Sequence, residues 1–133
     1  MKKISDKQGV VLRRYNKVCK EIKQERGHYC TGCGRADVPL SFSHLIPRSR
    51  RFDLTAEKRN ITFHCLSIWE RRGCHEIWEG VNRHKLLDYM KNMETILELD
   101  PEYYFLISEW RKENLTQRIL ATLKRNLNNG KEY

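Results

Sequence analysis

The chain has 133 residues, 39% of them hydrophobic and 32% charged, and a formal charge of +9. That length supports one modest core and not two, no apolar run approaches the ~20 residues of a membrane span, and Met1-Lys2-Lys3-Ile4-Ser5-Asp6 has no apolar signal core behind its lysines. A single cytoplasmic domain, 1–133, is expected, where cysteines bind metal more often than they pair; five cysteines is also an odd number for a disulfide framework.

The charge is unevenly placed. Residues 1–60 hold 15 Lys/Arg against 6 Asp/Glu, whereas 61–133 hold 11 of each. A basic first half suits a polyanion, with nucleic acid the default candidate and a merely solvated surface the plainer reading.

In chain order, 5–26 reads as a helix, with Ser5 and Gln8 at capping-box spacing. Val10, Val11, Tyr15, Val18, Cys19 and Ile22 form its apolar face, and Arg13, Arg14, Lys17, Lys20 and Lys23 lie opposite. Cys19 falls in the apolar set and reads as a buried small hydrophobe. Gly27 ends the helix, and Cys30-Thr31-Gly32-Cys33-Gly34 forms a tight turn. Leu40 to Leu45 alternates as a short strand; Pro47 breaks it, and a basic loop with Arg48, Arg50 and Arg51 follows. Asn60 to His64 is a second short strand, preceded by Lys58 and Arg59. Strand alternation sets His64 opposite Phe63, as a surface or substrate-contacting residue.

Residues 66–73 make a connection containing Trp69, Arg71 and Arg72. A short helix is expected from about Cys74, with His75 in its first turn and Gly80 at its end. Leu86, Leu87, Met90, Met93, Ile96 and Leu97 predict a helix over 82–99. Asp100-Pro101 fits an N-cap and first helical position, opening a helix with Tyr104, Phe105, Leu106, Ile107 and Trp110. A last helix, 114–127, carries Leu115, Ile119, Leu120, Leu123 and Leu127, and the tail beyond Asn128 is expected to fray. The aromatic and Met positions of 86–110 have core spacing. The three C-terminal helices (81–128) read as a scaffold or a homo-oligomer contact.

Small folds are often closed by zinc in a tetrahedron of Cys and His. Cys30 and Cys33 form one knuckle, and Cys65 and Cys74 can complete it, although the eight residues between them exceed a usual second knuckle. His28 and His64 are substitutes for either later cysteine. A second set remains: His44 on a strand, Asn60 at the start of the next, and His75 opening a helix. These offer a general base, an amide to orient its ring, and a metal ligand, the parts that phosphodiester hydrolysis needs alongside a divalent ion.

The order His44…Asn60…His75, framed by Cys30/Cys33 and Cys65/Cys74, resembles the HNH endonuclease superfamily over residues 28–80. The run His44-Leu45-Ile46-Pro47-Arg48-Ser49 with Arg51-Phe52-Asp53 is also similar to phage Rap/NinG recombination nucleases, which act on branched DNA. The resemblance implies an α+β fold with a ββα-metal core and a structural zinc, flanked by the N-terminal and C-terminal helices. It implies His44 as general base, Asn60 as its positioning partner and His75 as a ligand of a catalytic Mg²⁺ or Mn²⁺. Family members often carry a metal-ligating Asp, Glu or His at the position of Ser43, and Glu79, one helical turn after His75, can compensate. Backbone contacts to DNA fall to Arg48, Arg50, Arg51, Lys58 and Arg59, extended by Arg71 and Arg72 beside Trp69. A phage origin would place the protein in the host cytoplasm. Two rivals stand beside this reading: a non-catalytic zinc module that binds DNA, which Ser43 favours, and a protein adaptor that uses the C-terminal helices.

Overall fold

The computed structural model describes the backbone of residues 6–130, and their side chains except at 110, 111, 114, 115 and 128–130. The cap at Ser5, the packing of Trp110 and Leu115, and the tail beyond Gly130 lie outside these described residues; the backbone at 128–130, expected to fray from 129 on, is helical.

Two antiparallel strands, β1 (Leu40–His44) and β2 (Ile61–Cys65), form a hairpin that divides the molecule. Leu40 faces Cys65, Phe42 faces Phe63, Ser43 faces Thr62 and His44 faces Ile61. Because side chains alternate along a strand, Phe42, Ile61 and Phe63 share one face. There they pack on Tyr15, Val18 and Ile22 of α1 (Asp6–Glu25). Cys19 is buried in the same helix face, as its apolar neighbours demand. The Arg26 guanidinium fixes the end of α1 by donating to the carbonyls of Ile61 at 2.7 Å and Lys58 at 3.2 Å.

The opposite sheet face carries Ser43, Thr62 and His64, all buried. It meets α2 (Cys74–Trp78) and the start of α3 (Tyr89–Leu99). The main apolar cluster lies on this side: Leu45, Ile46, Trp78, Leu86, Met93, Ile96 and Ile107, closed off by Cys30, Cys65 and Cys74. Mixed helix and strand thus make an α+β molecule. No helix among the described residues is long and apolar enough to cross a membrane.

The C-terminal third differs from the sequence reading in two ways. The helix expected over 82–99 begins only at Tyr89; before it, Arg83–Lys85 makes a 3-10 turn and Leu87 donates its N–H to the Gly32 carbonyl at 2.9 Å. Leu86 enters the core, but Leu87 and Met90 are exposed. The two helices expected beyond Asp100 are one, α4 (Pro101–Gly130). No Gly or Pro interrupts 102–129, so the change of apolar phase after Trp110 has nothing to break the backbone. Asp100 does start it, accepting from the Tyr103 N–H at 3.2 Å. Ile107 is buried, whereas Phe105, Leu106, Ile119, Leu120, Leu123 and Leu127 face outward.

The long connection between the strands is held by Asn60, which is 1% exposed. Its Oδ1 accepts from the Ile46 N–H at 2.7 Å, and its Nδ2 donates to the carbonyls of Ile46 at 3.1 Å and Leu54 at 3.2 Å. Asn60→Ala leaves the Ile46 N–H buried and unpaired, so unfolding of that variant in urea is expected to show a loss of about 2–4 kcal/mol.

Candidate functional site

Three chain segments meet at the cysteines. Cys30 and Cys33 come from the turn after α1, Cys65 ends β2 and Cys74 opens α2. Their four Sγ atoms lie within 4.8 Å of one another, with Cys33 and Cys65 at 3.8 Å. A tetrahedron with zinc–sulfur bonds of ~2.3 Å places its sulfurs roughly 3.8 Å apart, so the donor set fits one zinc ion. Backbone N–H groups support the sulfurs: that of Cys65 donates to Cys30 Sγ and that of Cys74 to Cys65 Sγ, both at 3.3 Å. Arg71 donates to Cys33 Sγ at 3.3 Å.

Close approach explains two glycines. A Cβ on Gly32 would lie 2.9 Å from Cys74 Cβ, and one on Gly73 would lie 2.3 Å from the Leu66 carbonyl carbon. The substitute ligands considered from sequence are engaged elsewhere. His28 packs edge-on against Phe63, and His64 binds Asp88.

The sulfurs differ in acidity. Burial opposes ionisation of Cys33, but the Arg35 N–H, the Arg71 guanidinium and the neighbouring thiols bring it down to about 7. Burial pushes Cys74 up, and the charges and hydrogen bonds of Cys30 and Cys65 push it further. Ligation needs thiolates, so metal uptake must release protons.

A cleft of about 320 Å³ opens beside β1, lined by His44, Arg48, His75, Trp78, Glu79, Arg83 and Tyr103 among others. It gathers residues from β1, from the loop after it, from α2 and from α4. The His44 ring stacks on Tyr15 of α1, with centroids 5.3 Å apart, and its Nε2 lies 2.9 Å from the Thr55 carbonyl. A carbonyl only accepts, so the ring proton sits on Nε2 and Nδ1 keeps a lone pair. Burial lowers the His44 pKa and the Arg48 charge lowers it further, against the opposing pull of the Thr55 carbonyl. The expected orienting amide of Asn60 does not hold this ring. Asn60 instead binds Ile46 and Leu54, fixing the loop that presents Thr55, so its influence on His44 passes through the backbone.

His75 lies across the cleft with a third of its side chain exposed, its Nε2 4.0 Å from Glu79 Oε1. Ser43, at the position where members of the resembling family often carry a metal ligand, is 2% exposed and lies behind His75, with Oγ 2.6 Å from His75 Nδ1 and 3.1 Å from His64 Nδ1. His64 is not a surface residue: it is fully buried, with Nε2 2.8 Å from Asp88 Oδ2. The Thr31 hydroxyl donates to the same oxygen at 2.6 Å. Burial works to raise the Asp88 pKa, but the hydrogen bonds from His64 and Thr31 hold it below the usual carboxylate range. Asp88 carried no sequence signal, since it falls inside an apolar stretch with no recognisable motif.

The basic residues assigned from sequence are largely neutralised within the chain. Arg50 and Arg51 pair with the buried Asp100, and Arg51 also with Asp53. Lys58 pairs with Glu21 and Glu25, Arg59 with Glu98, and Arg72 with Glu76. Arg71 serves the sulfur cluster. Arg48 stands apart: it lines the cleft, and its guanidinium lies over the Phe52 ring. Trp69 is 90% exposed, beside this surface in sequence.

No protein-family model, curated protein or solved structure matches the chain.

Elemental analysis is expected to give one zinc per chain, lost in Cys74→Ala. Zinc titration of the metal-free protein should release protons, and apparent affinity should rise with pH. Chelation should abolish the native near-UV spectrum, because three segments lose their common anchor.

Proposed function

We propose that this protein is a metal-dependent nuclease of the HNH type that hydrolyses phosphodiester bonds in DNA. The observation that carries this reading is the convergence of His44, Arg48, His75 and Glu79 on one cleft. Two imidazoles border a space large enough for a phosphodiester, and a carboxylate and a cation complete the set.

In this scheme His44 is the general base. Its Nδ1 lone pair accepts a proton from the attacking water, while Nε2–H stays on the Thr55 carbonyl and keeps the ring from turning. Its lowered pKa leaves it neutral near pH 7. Arg48 places positive charge along the same cleft, where a phosphate can accept hydrogen bonds. His75 and Glu79 offer a nitrogen and a carboxylate to a divalent ion, a donor set suited to Mg²⁺ or Mn²⁺. When bound, such an ion supplies electrophilic stabilisation of the phosphate and of the leaving oxygen. Zinc in the cysteine cluster holds the start of α2, and with it His75, against the hairpin.

Backbone binding falls to a different surface from the one expected. On α1, Arg13, Arg14, Lys17 and Lys20 are exposed, and no acidic partner holds them among the described residues. Tyr15, on the inner face of the same helix, stacks on His44, so α1 lies against the strand that carries His44 while its cationic row is turned to the outside. Branched and single-stranded recombination intermediates are the first substrates to try, on the strength of the Rap/NinG resemblance.

Zinc-loaded protein with Mg²⁺ or Mn²⁺ is expected to cleave plasmid, single-stranded or branched DNA. His44→Ala should lose roughly 10²- to 10⁴-fold in rate with DNA binding intact. Binding without cleavage by the wild type would instead select the non-catalytic zinc module, with Ser43 in place of a ligand as the reason. The rate should rise with pH as His44 loses its proton, with the limb below the ordinary histidine value of 6.5. Arg48→Ala removes a charge that lowers this pKa, so the limb should move to higher pH.

Charge reversal of Arg13, Arg14 and Lys17 should weaken DNA binding and make its salt dependence shallower, by roughly 0.9 in log–log slope for each phosphate no longer neutralised. Arg51→Ala and Arg59→Ala should change that slope little, since internal acids already neutralise both side chains. The reverse ranking would return the interface to the loop between the strands.

A further inference from the structure

Behind the cleft lies an unbroken polar chain through the protein interior: Asp88 to His64 at 2.8 Å, His64 to Ser43 at 3.1 Å, and Ser43 to His75 at 2.6 Å. Burial of such groups is costly unless every donor meets an acceptor. His64 is 0% exposed, Ser43 2% and Asp88 8%, so water cannot easily relieve a mismatch. The arrangement of hydrogens is then strongly constrained.

Asp88 is ionised and accepts only, so His64 must present Nε2–H to it. Nδ1 of a neutral His64 ring is therefore an acceptor, and Ser43 supplies its single hydroxyl proton there. Ser43 Oγ has only lone pairs left for the third partner. His75 consequently carries its proton on Nδ1, and its Nε2 lone pair is left on the Glu79 side, at the cleft.

We propose that Asp88, His64 and Ser43 are positioning residues for His75, fixing by hydrogen-bond direction the tautomer that presents its Nε2 lone pair to a divalent cation in the cleft. This rests on the reading of His75 as a ligand of that ion. Hydrogen bonds from a ligand's second nitrogen commonly fix ring orientation and raise basicity in this way. Here the support comes through a hydroxyl and a second imidazole before it reaches a carboxylate. The serine that looks like a missing ligand is then the acceptor that orients the ligand in front of it. His44 and His75 then hold opposite tautomers, His44 protonated on Nε2 toward the Thr55 carbonyl and His75 on Nδ1 toward Ser43 Oγ.

The test is an imidazole ¹⁵N–¹H correlation spectrum of the zinc-loaded protein before any Mn²⁺ is added. His75 should show a proton on Nδ1 and a bare Nε2. Ser43→Ala should release that tautomer, and Mn²⁺ affinity by calorimetry should fall roughly 10- to 100-fold. Ser43→Thr, which keeps the hydroxyl, should restore both. A wild-type His75 with its proton on Nε2 overturns the proposal, as does a doubly protonated His64, which would reverse Ser43. Because this spectrum is recorded on the wild type, the outcome stands even if Ser43→Ala fails to fold. A wild type with Nδ1–H on His75 but no Mn²⁺ binding upholds the hydrogen-bond direction and rejects the metal-dependent nuclease, so the two failures are distinguishable.

Discussion

Four cysteine sulfurs from three separate segments meet at one point, where a single metal ion could join them. The turn after α1, the end of β2 and the start of α2 are each short, and a five-residue helix such as α2 has no independent stability. Bringing Cys30, Cys33, Cys65 and Cys74 within 4.8 Å of one another fixes where α2 starts and which way it points. His75 follows Cys74 directly, so its position at the cleft is inherited from the cluster. The neighbouring glycines fit this view, because a side chain on Gly32 would meet Cys74 and one on Gly73 would meet the Cys65–Ser67 backbone.

The hairpin turns that anchor into a two-sided molecule. One of its faces is apolar and receives α1; the other is polar and buried, an arrangement that a two-stranded sheet rarely tolerates. Thr31, Asp88, His64, Ser43 and His75 hydrogen-bond one another there in sequence, through Oδ2 of Asp88, while its Oδ1 is buried without a partner. Asn60 performs a similar service at the strand end, closing the loop with three hydrogen bonds of its own. Polar groups therefore determine the geometry of the cleft, while the apolar clusters on either side hold it rigid.

Much of this was legible in the chain itself. Period-two alternation marks both strands to within a residue, the cysteine spacing marks the cluster, and the helical periodicity marks the inner face of α1 over 15–22, although Val10, at the start of the same pattern, is exposed. What escaped the sequence was partnership. Alternation correctly set His64 opposite Phe63, but it could not tell that the far face is buried beneath Asp88, twenty-four residues away. Arginines in the loop between the strands look like a nucleic-acid surface until Asp100 and Glu98, from the C-terminal third, are seen to pair with them. The Asn60 side-chain amide holds the loop and not the His44 ring, a choice of partner that its place at the start of β2 does not reveal. The C-terminal helices were misdivided because apolar phase was read as a break where no residue terminates the helix.

One feature of β1 reaches beyond the site. Ser43 and His44 are consecutive, and the pleat sends them to opposite faces of the hairpin, one into the buried polar chain and the other against Tyr15. The strand thus reads two registers at once, and both depend on the same count of residues from Leu40. Substitutions at Leu40, Ser41 or Phe42 alter packing by degrees. A single-residue insertion or deletion among them exchanges the two faces and disables both halves of the site together. For this chain, length between the hairpin's ends is a harder constraint than composition, and variation is expected to enter β1 by replacement and never by a change in length.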